Sequence, residues 1–145
     1  MGRVEYLVSV ASLKLRAGAS YYNYVNYHMG GFTAGIGHER FAILGEIDWT
    51  ENSLDPGTGK ILGGRKTMAA FTELAVLATD GIWAIVKYDL FDPNQGVANN
   101  DVSRLTVGLE IFAYPMVEIR PQYRIEMEDP GVDNNLFLVQ THFWF

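Results

Sequence analysis

The sequence predicts an all-β protein, an antiparallel transmembrane up-and-down β-barrel with about eight strands in this chain. Three observations carry the prediction. Apolar and polar residues alternate at period two along most of the chain. Short connections and long connections follow one another in alternation between these segments. No stretch approaches the roughly 18 consecutive apolar residues that a membrane-crossing helix needs. A membrane protein with this sequence must therefore cross as a closed barrel, since only helices and barrels satisfy every backbone hydrogen bond in lipid.

Composition is consistent with one domain over residues 1–145 and narrows the range of functions. The net charge is −6, and no cluster of Lys and Arg is available to neutralise phosphates, so we expect no nucleic-acid partner. Hydrophobic residues make up 48% of the chain and aromatic residues 13%. Cysteine is absent, which excludes a disulfide framework and a thiolate metal site. We expect no cofactor.

The alternation is clearest in segment 116–127, where Val117, Ile119 and Tyr123 alternate with Glu118, Arg120 and Arg124. Segment 31–37 is glycine-rich, and a strand is assigned there mainly because the count requires one. Pro121 lies in mid-strand, where it removes a ladder hydrogen bond, so we expect a bulge or local distortion. The predicted strands are 13–22, 31–37, 41–49, 67–78, 82–91, 103–113, 116–127 and 136–145.

The connections are expected to differ between the two ends of the barrel. Residues 38–40, Asp80-Gly81 and Tyr114-Pro115 are predicted to be tight turns. The other connections are longer, polar and rich in turn-forming residues: 23–30, 50–66, 92–102 and 128–135. Short turns at one end and longer loops at the other are typical of outer-membrane barrels.

Alternation alone does not decide which face points inward, because a soluble barrel would bury the apolar face instead. Two observations favour an inward polar face. That face is dense in both signs of charge, which suits an interior where charges pair across strands, and the chain ends on an aromatic residue. The charged residues predicted to face the lumen are Lys14, Arg16, Glu46, Asp48, Glu73, Lys87, Asp89, Arg104, Glu110, Glu118, Arg120, Arg124 and Glu126.

Aromatic residues are predicted to form two belts, one at each lipid–water interface. The belt at the loop end would contain Tyr21, Tyr22, Trp49, Tyr88 and Phe91, and the belt at the turn end Phe41, Trp83, Tyr114, Phe143 and Phe145. The N-terminal segment MGRVEYLVSV does not fit a signal peptide, because Glu5 interrupts its apolar run. We therefore expect a mature form, a recombinant product or the C-terminal part of a larger barrel.

The last ten residues, LFLVQTHFWF, resemble the C-terminal β-signal of bacterial outer-membrane barrels. The resemblance implies a location in the bacterial outer membrane, contact with its lipid, and recognition of the last strand by the barrel-assembly machinery. Thr141 departs mildly from the apolar pattern of that signal. The signal would comprise Phe137, Val139, Thr141, Phe143 and Phe145.

A looser resemblance covers more of the chain. The order ILGEIDW, AAFTELAV, KYDLFDPN, RLTVGLEIFAYP and VEIRPQYRIE is similar to the C-terminal half of longer porin-like outer-membrane proteins. Those proteins pass solutes through a wide lumen. The resemblance implies a porin-like channel or channel wall for passive passage of small solutes, and leaves a homo-oligomer open.

The alternative is a small closed barrel that serves as a structural anchor or as a loop-based adhesion or binding platform, with loops 50–66 and 92–102 carrying the function. Eight strands that close alone enclose an interior just wide enough to be packed with side chains, which favours this alternative. An enzyme is not expected, because His28, His38 and His142 have no serine nearby in this layout. The Asp and Asn residues of 92–101 resemble a Ca²⁺ site only superficially, since loops favour these residues for backbone reasons, and we expect no metal site.

Overall fold

The structure is a computed structural model that describes residues 2–52, 55, 57–61, 63–128, 131 and 134–144. These residues form nine β-strands, which confirms the all-β prediction. The strands are β1 (Gly2–Val10), β2 (Leu13–Tyr24), β3 (Tyr27–Gly37), β4 (Phe41–Glu51), β5 (Lys66–Thr79), β6 (Ile82–Asp92), β7 (Val102–Tyr114), β8 (Val117–Glu128) and β9 (Leu136–Phe143). The described part of the chain contains no helix that could span a membrane.

All nine strands belong to one sheet in the order β1 to β9, and every neighbouring pair is antiparallel. This is the up-and-down arrangement that the sequence predicts. Two details differ from the expectation. The sheet has nine strands rather than about eight, and it is not closed, because β1 and β9 make no contact with each other among the described residues.

Strand β1 is absent from the sequence-based assignment, which treated this segment only as a failed signal peptide. It pairs with β2 from Gly2↔Tyr21 to Val10↔Leu13. Its own alternation is regular: Val4, Tyr6, Val8 and Val10 share one face, and Arg3, Glu5, Leu7 and Ser9 share the other. Glu5, which breaks the signal-peptide pattern, is thus a regular polar residue of a strand.

The predicted loop at 23–30 is also wrong. Strands β2 and β3 continue through it, with pairing out to Tyr24↔Tyr27, and only Val25 and Asn26 remain as a turn. Val25 has φ 56°, in the left-handed region that a two-residue hairpin turn demands. Cross-strand contacts favour the extension, because the Tyr21 hydroxyl lies 3.0 Å from His28 Nδ1. The Tyr and Asn residues that suggested a loop instead lie in the paired ends of β2 and β3 and in the turn between them.

The two ends of the sheet differ in the length of their connections. One end, the turn end, carries the short connections 11–12, 38–40, 80–81 and 115–116. The other end, the loop end, carries the turn at 25–26 and the longer connections 52–65, 93–101 and 129–135. The predicted segregation therefore holds, except that one of the loop-end connections is short.

An odd number of antiparallel strands gives the two edge strands the same direction. Strand β1 runs from the loop end to the turn end, and β9 does too. A direct pairing of β9 with β1 would therefore be parallel. Antiparallel pairing all the way round would require an odd number of additional strands between them.

The register places apolar and polar side chains on opposite faces of the whole sheet, because residues directly paired across antiparallel strands lie on the same face. Starting from Glu118↔His142 and following the pairs through β7 to β1, all the predicted charged residues lie on one face, called here the polar face. The opposite face, called the apolar face, carries Val4, Phe32, Ile47 and Val139. A single register thus runs through nine strands without inverting.

The shielded side of this sheet is the polar one. The described side chains that are most buried are Ile85, Thr33, Thr106 and Glu118, and all four lie on the polar face. A sheet without a second layer can shield one face only by curving toward it, so that side chains of neighbouring strands crowd together there. Gly31 and Gly108 relieve the crowding: a Cβ at Gly31 would overlap the Asp48 carboxylate, and a Cβ at Gly108 would lie 2.8 Å from Gln122 Cγ.

Of the bulge or local distortion expected at Pro121, the structure shows the local distortion. The β7–β8 pairs stop at Gly108↔Gln122 and resume at Ile111↔Ile119 in the same register. The ladder is therefore interrupted beside Pro121, which has no N–H to donate, but it does not slip. The register shifts instead next to the turn, between Phe112 and Tyr114.

A glycine under a tryptophan gives a first testable prediction about the apolar face. A Cβ at Gly30 would lie 2.5 Å from Trp49 Cζ2, because the indole ring covers the glycine across the β3–β4 pair. We expect Gly30→Ala to lower the free energy of unfolding by about 1–3 kcal/mol through overpacking. Denaturant unfolding followed by tryptophan fluorescence measures the change.

Gly37 in the same strand is the matched control. A Cβ there would meet Lys14 only at 3.8 Å, which is ordinary contact. Gly37→Ala should be neutral or slightly stabilising, since glycine weakens a strand interior. Equal losses in the two variants would contradict the packing of Trp49 on Gly30.

Candidate functional site

The candidate site is the polar face. All thirteen residues predicted to face a lumen lie on it, on the six strands β2 and β4 to β8. Strand β1 adds Arg3 and Glu5 to the same face. These two charges are missing from the prediction because their strand is, although the alternation of Val4, Tyr6 and Val8 could have revealed it.

Several of the charges are paired. Arg104 Nε lies 2.6 Å from Glu126 Oε1 across the β7–β8 pair, and Lys87 Nζ lies 2.8 Å from Asp89 Oδ1 along β6. Arg16 contacts Glu5 across the β1–β2 pair. The pairing of opposite charges across strands was the reason for expecting a charged interior, and the Arg104–Glu126 and Arg16–Glu5 contacts have that form, whereas Lys87 and Asp89 pair within one strand.

The densest polar cluster lies near the turn end of β7, β8 and β9. Arg120 Nη2 lies 2.6 Å from Glu110 Oε1, and the Arg120 Nε contacts the Glu118 carboxylate. The other oxygen of Glu118 lies 3.0 Å from His142 Nδ1. Only 2% of the Glu118 surface is exposed, so this carboxylate depends on its two partners for the hydrogen bonds that water would otherwise supply.

Two cavities open between the side chains of the polar face. The one nearer the loop end holds about 260 Å³ and has the acidic side chains Glu46, Asp48 and Asp89 in its wall, with Arg104 and Glu126. The other, toward the middle of β6 to β8, holds about 210 Å³ and is lined by more bases than acids. The arrangement can bind and orient small charged or polar groups through several donors and acceptors at once.

Aromatic side chains divide between the faces in a way that alternation alone should have shown. Tyr21, Trp49, Tyr88, Phe41 and Phe143 lie on the apolar face, where a lipid belt would need them. Tyr22, Trp83 and Phe91 lie on the polar face, so their assignment to the belts is wrong. Position along a strand places a side chain near one end of the sheet, but its parity in the alternation decides which face it lies on.

The residues of the proposed β-signal lie on the edge strand. Phe137, Val139, Thr141 and Phe143 share the apolar face of β9, and Phe137 is 65% exposed. Phe145 lies outside the described residues. The strand presents one unpaired backbone edge, which is the edge that any further strand would join.

The described histidines make contacts that do not include a serine. His28 lies against the Tyr21 hydroxyl, His142 against Glu118, and His38 stacks on Phe41 with their ring centroids 5.2 Å apart. Among the described residues no hydrogen bond joins a serine to a histidine, although Ser9 and Ser12 line one cavity together with His38. No group of three or more His, Cys, Asp or Glu residues that could hold a metal ion occurs in the described part of the chain either.

The Asp and Asn residues of loop 93–101 serve the backbone. Asp92 Oδ1 accepts a hydrogen bond from the Asn94 N–H at 2.9 Å, and Asn94 Oδ1 accepts one from the Gly96 N–H at 3.2 Å. Asp55 does the same in the neighbouring loop. Hydrogen bonds from the Thr58 and Gly57 N–H groups hold the pKa of the Asp55 carboxyl below its ordinary value.

The two longest connections at the loop end are hydrogen-bonded to each other. Arg65 Nε donates to the Pro93 carbonyl at 2.8 Å, and the Gln95 N–H donates to the Lys66 carbonyl at 2.9 Å. The first bond joins the loop before β5 to the loop after β6, and the second joins that later loop to the first residue of β5. The described residues at the adjoining ends of these two connections are therefore held together.

The Glu118 cluster predicts a specific loss of stability. Glu118→Ala leaves Arg120 and His142 without a shared partner on a shielded surface, and we expect the free energy of unfolding to fall by about 3 kcal/mol. The control is Glu46→Ala on the same face, because Glu46 makes no ion pair among the described residues. Denaturant unfolding of both variants in the same detergent measures the difference, and equal losses would contradict the special role of Glu118.

Comparison with known proteins adds no assignment to this geometry: no protein-family model, curated protein or solved structure matches the chain. The resemblance to porin-like proteins therefore stays a prediction from the sequence.

Proposed function

We propose that this chain forms the wall of a β-barrel in the bacterial outer membrane and lines a porin-like path for passive passage of small solutes. One observation carries the proposal: the sheet shields its polar face and exposes its apolar face. A soluble sheet does the reverse, since water rewards exposed charges and penalises exposed apolar area. Lipid is the solvent in which the observed arrangement is favourable.

The exposed apolar surface is continuous from strand to strand. Val4 is 74% exposed on β1, Phe32 48% on β3 and Val139 53% on β9, with exposed apolar side chains on the strands between them. Soluble monomers seldom expose apolar patches larger than a few hundred Å². A band that crosses every strand matches the lipid-facing band of an outer-membrane barrel.

Solute passage is supported by the other face. Its charges have both signs, several are paired, and cavities of about 260 and 210 Å³ remain between the side chains. A lumen lined in this way offers polar contacts to a hydrated solute at many points. Charged rings and ladders of this kind set the selectivity of a water-filled path.

The proposal includes closure of the sheet and assembly through its last strand. Curvature toward the polar face brings the edges β1 and β9 round the same axis, and a closed sheet leaves no unpaired backbone in lipid. The apolar face of β9, with Phe137, Val139 and Phe143, is the surface that the barrel-assembly machinery would recognise.

A second candidate is an anchor whose loops bind a partner. It is favoured by the hydrogen bonds from Arg65 to Pro93 and from Gln95 to Lys66, which hold the connection after β6 against Arg65 and the start of β5 at the loop end. In this case the polar face fills the barrel and the loop end carries the function.

The facing of the sheet is tested with two neighbouring residues of β9. Val139 lies on the apolar face and Leu138 on the polar face. Val139→Arg places a guanidinium in lipid and should make folding into phospholipid vesicles less favourable by about 2–4 kcal/mol. Leu138→Arg should cost clearly less. Equal costs, or a larger cost for Leu138→Arg, would overturn the membrane orientation.

The choice between pore and anchor is tested by conductance in a planar lipid bilayer. A porin-like wall should give steady open steps that persist over minutes. Silence from a protein whose electrophoretic mobility still shifts on heating, as that of folded barrels does, would favour the anchor. Stable folding as a monomer in water without detergent would contradict both candidates.

A further inference from the structure

Strand β8 carries two cations on the polar face, Arg120 and Arg124. Among the described residues Arg120 forms ion pairs and Arg124 does not. No carboxylate oxygen lies within 4 Å of the Arg124 guanidinium in the part of the chain that the structure describes. Its Nε is inaccessible to solvent and has no hydrogen-bond partner. The Nε of Arg16 also lacks a well-aligned hydrogen bond, but it contacts the Glu5 carboxylate. Arg124 therefore has an unpaired charge, and because solvent does not reach its Nε, an acceptor from outside the chain would bind it through the Nη groups.

A cavity beside Arg124 can hold such an acceptor. Arg124 forms part of the wall of the cavity of about 210 Å³, which is enough for about seven water molecules or a small organic anion. Four bases line the cavity against two acids. The lining side chains with charges or donors are Lys87, Arg104, Thr106, Arg120, Gln122 and Gln140, with Glu73 and Asp89 as the acids.

The charges in this wall are not equivalent. Lys87, Arg104 and Arg120 each have a carboxylate partner within 2.8 Å. The charge of Arg124 has none. Glu73, the acid of the wall that makes no ion pair among the described residues, lies on β5, three strand spacings or about 14 Å along the sheet from β8. On strands β7 to β9 the carboxylates of Glu110, Glu118 and Glu126 pair with Arg104 and Arg120, so Arg124 carries the unpaired positive charge on that side of the cavity.

Uncharged donors line the cavity on that side. Thr106 is the direct partner of Arg124 on β7 and Gln122 precedes it on the same face of β8, whereas Gln140 on β9 is paired with Arg120, farther along the cavity. Gly108 is the cross-strand partner of Gln122. Because Gly108 has no side chain, the Gln122 side chain can lie over it. A guanidinium with two parallel N–H groups, flanked by amides and a hydroxyl, matches the geometry of an oxyanion.

We propose that this cavity is a binding site for the oxyanion group, carboxylate or phosphate, of a small solute, with Arg124 as its principal ligand. The site indicates that the solutes of the porin-like path carry an oxyanion group, and this part of the inference rests on the proposed function. Binding itself requires only the polar face as the structure shows it.

Calorimetric titration of the detergent-solubilised full chain with inorganic phosphate and, separately, acetate tests the site. Arg124→Gln should weaken binding at least about tenfold, because it removes the charge and the forked donor. The anion affinity of Arg124→Lys should lie between those of the unmodified chain and Arg124→Gln, because lysine keeps the positive charge but lacks the forked pair of donors. The control is Arg40→Gln, the same chemical change in the β3–β4 turn, which should bind like the unmodified chain.

The outcomes are distinct. Binding of both anions supports a general oxyanion site, and binding of phosphate alone narrows the source to phosphorylated solutes. Failure of the unmodified chain to bind either anion, or unchanged binding by Arg124→Gln, overturns the proposal. Gln140→Leu provides a second variant if Arg124→Gln does not fold, and it should weaken binding while Arg40→Gln does not.

Conductance separates this proposal from the proposed function. In a salt gradient, Arg124→Gln should shift the reversal potential toward cation preference. Anion binding without any conductance would contradict the porin-like path and support the oxyanion site. Conductance without anion binding would support the porin-like path and contradict the oxyanion site.

Discussion

One unbroken antiparallel register is the constraint on which the rest of this structure depends. Because side chains alternate at period two, a slip of one residue in any strand would turn that strand's charged residues to the apolar face. The pairs from Gly2↔Tyr21 to Val117↔Phe143 keep the same parity through nine strands. The two register shifts lie beside the short turns, between Leu77 and Thr79 and between Phe112 and Tyr114, where they do not invert a face.

The register also explains how a shielded face can be so rich in charge. Curvature brings polar side chains together, and each buried charge then needs a partner or a donor. Glu118 has two such partners, and Arg104 and Lys87 have one each. Glycines at 31 and 108 leave space for the side chains opposite them, so the crowding does not open the sheet. Charge pairing and small residues together allow a shielded polar face in which Ile85 is the buried hydrophobic residue among those that the structure describes.

The strand count changes the question of closure. With eight strands the edges would run in opposite directions and could pair antiparallel, as in the common bacterial barrels. With nine, β1 and β9 run in the same direction, and a seam between them would be parallel. The edge opposite β9 is thus β1 rather than segment 13–22, and the width of any lumen depends on what joins these two edges. Lumen width in turn decides between a packed anchor and an open path.

Much of the fold followed from alternation, because period two is a local property that a strand displays whether or not its neighbours are known. Segments such as 116–127 and 41–49 were placed correctly, and the thirteen charged residues were assigned to one face by parity alone. Strand β1 and the β2–β3 hairpin were missed, since Glu5 and the Tyr-rich segment at 21–27 have other local interpretations that only pairing with a neighbour rules out. The sequence by itself determined strand character and the division into two faces. The tertiary structure alone decided which face is shielded, which charges are paired, and that Arg124 is left without a carboxylate, because these depend on curvature and on side chains far apart in the chain.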